Sequence, residues 1–221
     1  MKAIFLGGSI ASGKTTISNK LVEEYGYKRF SIAAPLKQIA KEVLGRELDK
    51  AKDRELLQYI GNNLKFAYDM DRTTEWIKQS ECLSEALNQQ SNFDLLYTEE
   101  FWINWLFKSD DFKKYYMDTF KQNKDFKIII DDFRFPSEEK YIKNWFSHEY
   151  KIGCNQGYQY DFVMLHCEQE EIIKRCMNIY GKYDPKWFED ISELERGRIN
   201  FNKIIDNTRA NIDDIVKLIA Q

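Results

Sequence analysis

Apolar positions along this chain come in two spacings, short unbroken runs and helical repeats, and the two alternate through most of its length. The runs Met1–Leu6, Lys127–Asp132, Asp161–His166 and Lys203–Asn207 have the pattern of parallel strands, with Lys127-Ile128-Ile129-Ile130 covered on both faces and ended by two acids. Tyr27–Ala33 makes a shorter strand, closed by Ala34-Pro35. Between the runs, apolar residues recur every three or four positions: Ile17, Leu21 and Val22, then segments 36–44, 49–66, 138–145, 168–180 and 212–220. Pro35 suits the first turn of its helix, where its missing N–H leaves no bond unmade. Five strands separated by helices predict an α/β fold with a doubly wound five-stranded parallel sheet.

Residues 67–126 interrupt this alternation with a stretch rich in aromatic and acidic residues. They predict a helix with Thr98 as N-cap running through Phe101, Trp102, Trp105, Leu106 and Phe107, and a second from near Ser109. Tyr115, Tyr116 and Phe120 prolong the aromatic stripe, which at helical spacing marks a core face more readily than a base-stacking platform. The expected organisation is one domain over residues 1–221 with a helical insertion at about 67–126.

The first strand meets the first helix at Gly7-Gly8-Ser9-Ile10-Ala11-Ser12-Gly13-Lys14-Thr15-Thr16. From Gly8 the spacing is G-x-x-x-x-G-K-T, in which consecutive backbone N–H groups wrap nucleotide phosphates and a lysine, here Lys14, reaches the β and γ phosphates. Thr15 would place its hydroxyl on Mg²⁺, and the helix would aim its positive N-terminus at the same phosphates. Gly8 and Gly13 let the backbone approach without a Cβ in the way.

Further charged candidates follow the later strands. Lys37 sits one turn into the helix after the second strand, either as a solvated surface charge or facing the ligand crevice, where it would meet a phosphate. Asp132 and Arg134 leave the third strand together, just before Pro136. Asp132 suits a Mg²⁺ water shell or hydroxyl polarisation; alternatively it pairs with an arginine or caps the next helix. Arg54, Gln58 and Gly61 share one side of the 49–66 helix, where solvent exposure is the plain reading for Arg54. Arg175 and a basic stretch with Lys182, Arg196 and Arg198 are of the sort that closes over a nucleotide and shields it from water, or else are surface charges.

Composition narrows the classes. A net charge of −3 argues against a dedicated nucleic-acid binder. No apolar run approaches the ~20 residues of a membrane helix, and the opening apolar stretch is too short for an export signal, so a cytoplasmic protein is expected. Cys82, Cys154, Cys167 and Cys176 show no C-x-x-C spacing, and with His148 and His166 they match no familiar metal-ligand pattern.

Taken in order, Gly8–Thr16, Phe30–Lys37, Leu57–Gly61 and Asp132–Glu138 resemble the deoxynucleoside monophosphate kinases of phages and bacteria. In that family the second strand ends in alanine/glycine-proline-x-lysine, a helix carries R-x-x-x-Q-x-x-G, and the third strand ends in D-x-R-x-x-x-E. Here the matches are Ala34–Lys37, Arg54–Gly61 and Asp132–Glu138. Ile204-Ile205-Asp206-Asn207 and the helix after it are also similar to the family's last strand and helix, while the insertion is not covered. Thr15 stands where the family often has an acid, which restores the ordinary metal hydroxyl.

The resemblance implies transfer of the ATP γ-phosphoryl to a (deoxy)nucleoside monophosphate. Gly8, Ser12, Gly13, Lys14, Thr15 and Thr16 would hold ATP, with Thr15 and Asp132 serving Mg²⁺. Lys37, Arg54 and Arg134 would grip the acceptor phosphate, Gln58 would recognise the base, and the segment from Arg175 to Arg198 would act as a lid. Lys14, Asp132, Arg134 and Arg175 form the expected catalytic set. The expected partner is the nucleoside monophosphate, with no nucleic acid and no membrane, and a homodimer is left open. A kinase for phosphomevalonate or dephospho-coenzyme A would be a neighbouring alternative. A hydrolysis-driven switch is a more distant one, since a GTPase needs N-K-x-D and Asn202-Lys203-Ile204-Ile205 misses its acid by one position.

Overall fold

A computed structural model describes residues 2–49, 52–53, 56–57, 60–61, 100–122, 125–151 and 159–221. The chain divides into two compact units, residues 1–31 with 113–221, and residues 32–112.

The first unit is built on five strands: β1 (Lys2–Gly8), β2 (Lys28–Phe30), β3 (Lys127–Ile130), β4 (Gln159–His166) and β5 (Lys203–Asp206). Their order is β2-β3-β1-β4-β5 and every neighbouring pair is parallel, the doubly wound sheet expected. β1 is central, with Lys2 beside both Lys127 and Gln159. β2 stops three residues short of its predicted end, and β3 stops at Ile130. Side chains continue the contact where the ladder stops: Arg29, inside β2, pairs with Asp131 at 2.6 Å, and Ser31 Oγ, just past it, donates to Asp132 at 2.5 Å.

Alternation along β1 divides the core. Ile4 and Leu6 face α1 (Lys14–Tyr25) and the last helix, Ile212–Ala220, where they meet Ile17, Leu21, Ile215 and Val216. Phe5 points the other way, into an aromatic layer in which Phe133 stacks on Phe162 with ring centres 5.1 Å apart. A Cβ on Gly7 would stand 2.6 Å from the Phe201 ring, which occupies the space a side chain would need. Phe146 joins that layer from the helix Pro136–Lys151, which is longer than the 138–145 expected at both ends. Pro136 opens it with a φ already suited to a helix. Two more helices, Gln169–Tyr180 and Ile191–Glu195, and two 3₁₀ turns, Pro185–Phe188 and Arg196–Arg198, fill the stretch between β4 and β5.

In the second unit, α2 (Ala34–Leu44) carries a proline in its first turn, and residues 56–57 and 60–61 are helical. α3 (Phe101–Lys108) begins after Glu100, and the predicted Thr98 cap lies outside the described residues. Phe101, Trp102, Ile103, Leu106 and Phe107 are buried, so this part of the aromatic stripe is core. Trp102 Nε1 donates to the Gly61 carbonyl at 3.2 Å. Arg46 forks onto the buried Asp53 at 2.6 and 2.8 Å, and with the Asp49 N–H it holds that carboxyl below its ordinary range. α4 (Asp110–Lys121), which belongs to the first unit from Lys113 on, follows close to the start predicted near Ser109. Among the described residues no helix is long and apolar enough to cross a membrane.

With the helices numbered in chain order, Pro136–Lys151 is α5, Gln169–Tyr180 is α6, Ile191–Glu195 is α7 and Ile212–Ala220 is α8.

Candidate active site

The loop from Gly8 to Lys14 turns tightly enough to need unusual backbone angles. Gly13 has φ 94°, and Ala11 holds φ 57°, a conformation that non-glycine residues rarely adopt. A Cβ on Gly13 would lie 2.4 Å from Asn207 Nδ2, so this glycine is required by space as well as by angle. Lys14 folds back over the loop, donating to the carbonyls of Gly8 and Ser9 at 2.8 and 2.7 Å and to Ser12 Oγ at 3.4 Å. Burial pushes its ammonium down from the usual 10.5 to about 7. Arg134 and Arg196 add to the depression, while Glu193 and Asp131 oppose it. Thr15 and Thr16, in the first turn of α1, are exposed.

The segment after β5 braces this loop. Asn207, buried, donates from Nδ2 to the Ser12 carbonyl at 2.7 Å. Arg175, on α6, donates to the carbonyls of Asn207 and Thr208 at 2.7 and 3.3 Å and pairs with Glu171 at 2.9 Å. Asp206 accepts from both the N–H and the hydroxyl of Thr208, which hold its carboxyl below the usual range. The structure thus places Arg175 among the carbonyls that support the loop at its Gly13 end. Asn207 had no assigned role in the sequence, because its partner Ser12 lies at the far end of the chain.

The exit of β3 supplies the second cluster. Asp132 is half-buried and bonded to Ser31; it does not cap α5, which begins at Pro136. Glu138 takes the loop N–H groups there, accepting from Arg134 and Phe135 at 2.8 and 3.0 Å. The Arg134 side chain donates from Nη1 to Ser192 Oγ at 3.0 Å and lies 3.7 Å from Glu193, which also pairs with Arg196. Within the segment expected as a lid, residues 185–198 form a set of short helical turns. Trp187 is buried in it beside Ile10, Ile172 and the cysteines Cys167 and Cys176. Lys182 lies over the Trp187 ring, and the exposed Arg198 pairs with Glu195. A cavity of about 390 Å³ opens beside the loop, lined among others by Ser9, His166, Cys167, Gln169, Phe188 and Arg196.

Lys37 is exposed in the first turn of α2, in the second unit. Arg54, Gln58, Cys82, Cys154 and the His148 side chain lie outside the described residues. Among the described residues no three His, Cys, Asp or Glu side chains cluster as a metal site. Thr15 and Asp132 carry hard oxygen donors of the kind Mg²⁺ prefers, an ion that keeps much of its water and takes phosphate oxygens as ligands.

The sheet order and the Gly8–Thr15 loop together define a P-loop α/β fold. No protein-family model and no curated protein sequence matches the chain. Among solved structures it is similar to a gluconokinase from Sinorhizobium meliloti 1021, at 14% identity over 99% of this chain and 89% of that one, with a TM-score of 0.46. A dephospho-CoA kinase from Campylobacter jejuni is 17% identical over 100% of this chain and 94% of that one, with a TM-score of 0.34. A deoxyadenosine kinase from M. mycoides is 14% identical over 99% of this chain and 96% of that one, with a TM-score of 0.36.

Proposed function

We propose that this chain is an ATP-dependent kinase that phosphorylates a (deoxy)nucleoside monophosphate to the diphosphate. The carrying observation is Lys14: a half-buried ammonium held over a glycine loop at the start of a helix, in surroundings that penalise its charge. A triphosphate supplies the anion that such a group lacks. The loop and Lys14 hold the β and γ phosphates, and Arg134, beyond β3, faces the incoming phosphate. An oxygen of that phosphate forms the new bond to the γ-phosphorus as the bond to ADP breaks, so catalysis is positioning and charge neutralisation. Mg²⁺, when bound, neutralises charge on the β and γ phosphates. Thr15 and Asp132 are the side chains that would hold it.

Support for the nucleotide acceptor comes from the ordered motifs at Ala34–Lys37, Arg54–Gly61 and Asp132–Glu138. The test is an acceptor screen with ATP and Mg²⁺, offering each ribo- and deoxyribonucleoside monophosphate, phosphomevalonate and dephospho-coenzyme A in turn. Formation of a nucleoside diphosphate supports the proposal and names the base. Consumption of either metabolite instead, or ATP binding with no monophosphate consumed, overturns the acceptor assignment.

A further inference from the structure

Three cations and one carboxylate gather beside the phosphate loop, drawn from three stretches of chain. Lys14 opens α1, Arg134 follows β3, Glu193 is on α7, and Arg196 comes just after it. Glu193 is the group in the middle. Its side chain is 3% exposed; Oε2 accepts from Arg196 Nη1, and Oε1 lies 3.7 Å from Arg134 Nη1 with no hydrogen-bond partner among the described residues. Arg134 is held at that spot by its bond to Ser192, the neighbour of Glu193 on the same helix.

A carboxylate so deeply buried is costly unless its charge is matched, and one oxygen here lacks a hydrogen bond. Stability alone is a weak reason to retain it, because well-packed apolar groups often serve as well. Geometry gives a better reason. A carboxylate between two guanidiniums fixes their separation and limits their rotation, and guanidinium forks bind phosphate well only when correctly oriented.

We propose that Glu193 is a positioning residue that holds Arg134 and Arg196 together as a two-armed clamp on the phosphoryl group passing Lys14. This rests on the phosphotransfer reading above and names Arg196 as the lid residue that touches the transferred group. It also ties the seating of the lid to the exit of β3, since one arm comes from each.

Two roles for Glu193 differ in sign. If it merely tempers local positive charge, neutralising it improves anion binding, and KM for ATP falls while kcat stays. If it positions the arginines, ATP stays held by the loop and Lys14 while the clamp is misplaced, and kcat falls.

The experiment compares wild type, Glu193→Gln, Arg196→Gln and the double variant in the full chain, measuring kcat and KM for ATP with the acceptor found by the screen, or with water where none is found. The clamp predicts that each single variant lowers kcat by roughly 10²-fold, the scale of a displaced catalytic group, and that the double is no worse than the poorer single. An unchanged kcat in Glu193→Gln overturns the clamp, and so does full additivity in the double. Should Glu193→Gln fail to fold, Glu193→Asp replaces it in the same cycle, keeping the buried charge while shortening its reach. A wild-type protein that binds no ATP, or turns none over, overturns the phosphotransfer reading and takes the clamp with it. Normal wild-type turnover with an indifferent Glu193 overturns the clamp alone.

Discussion

Raising the pH from 7 to 9 should weaken ATP binding by about fiftyfold, and nearly all of that loss should pass through the Lys14 ammonium. In the free protein this group titrates at about 7 rather than 10.5, chiefly because it is buried. At pH 8 about nine-tenths of the free molecules therefore carry it neutral. The triphosphate restores the charge; with the bound lysine back at its ordinary value, each ATP takes up about 0.9 proton at pH 8, and Kd rises about fivefold from pH 7 to 8 and about ninefold from pH 8 to 9. The terminal phosphate of ATP does not confuse the measurement, being already ionised well below pH 8. Calorimetry at pH 8 in two buffers of different ionisation enthalpy reads the proton number directly. Lys14→Arg, which stays charged throughout, should bind ATP with no uptake and a flat pH profile. Folding carries the same signature with the opposite sense. Between about 7 and 10.5 the unfolded chain binds more protons than the folded one, so through Lys14 the free protein gains stability as pH rises. No proton uptake at pH 8, together with a constant Kd from pH 7 to 9, would refute the reasoning.

Gly13→Ala should cost about 1–3 kcal/mol of stability in urea unfolding and most of the ATP affinity, because the new Cβ meets Asn207 at 2.4 Å on a backbone with φ 94°. Asn207→Ala should cost about 1–3 kcal/mol in the same assay by stranding the buried Ser12 carbonyl, and should raise KM for ATP more than it lowers kcat. Arg46→Gln should flatten the acid limb of the stability profile. Asp53 has its folded value depressed by Arg46, so its contribution is complete above the unfolded 3.8 and is lost as pH falls through the folded value; urea midpoints taken from pH 5 downward check this.

The parts of this molecule legible in its sequence are those specified by neighbours in sequence. Lys127-Ile128-Ile129-Ile130 announces a strand buried on both faces because four adjacent residues carry the pattern, and Gly8 to Thr15 announces its loop for the same reason. The bracing of that loop is of another kind. Asn207 donates to Ser12, Arg175 to Asn207, and Glu193 stands between Arg134 and Arg196; each bond joins ordinary polar residues whose partners only folding brings near. The early end of β2 belongs here too, since Ser31 leaves the ladder for Asp132. The length of α5 was hidden differently: its last six residues, Phe146 to Lys151, mix polar and aromatic residues without a clean repeat.

The central place of β1 has a consequence for how the chain acquires its shape. Its ladder partners on both sides are β3 and β4, so Ile4, Phe5 and Leu6 are translated long before anything exists for them to pair with. During that interval a strongly apolar strand of the nascent polypeptide is unpaired, the kind of segment that chaperones sequester and that aggregates when they do not. The nucleotide cannot help it early, because the Asn207 brace waits for the end of β5 to be translated. Folding of this protein is thus arranged so that its binding loop is completed only once β5 and Asn207 have emerged.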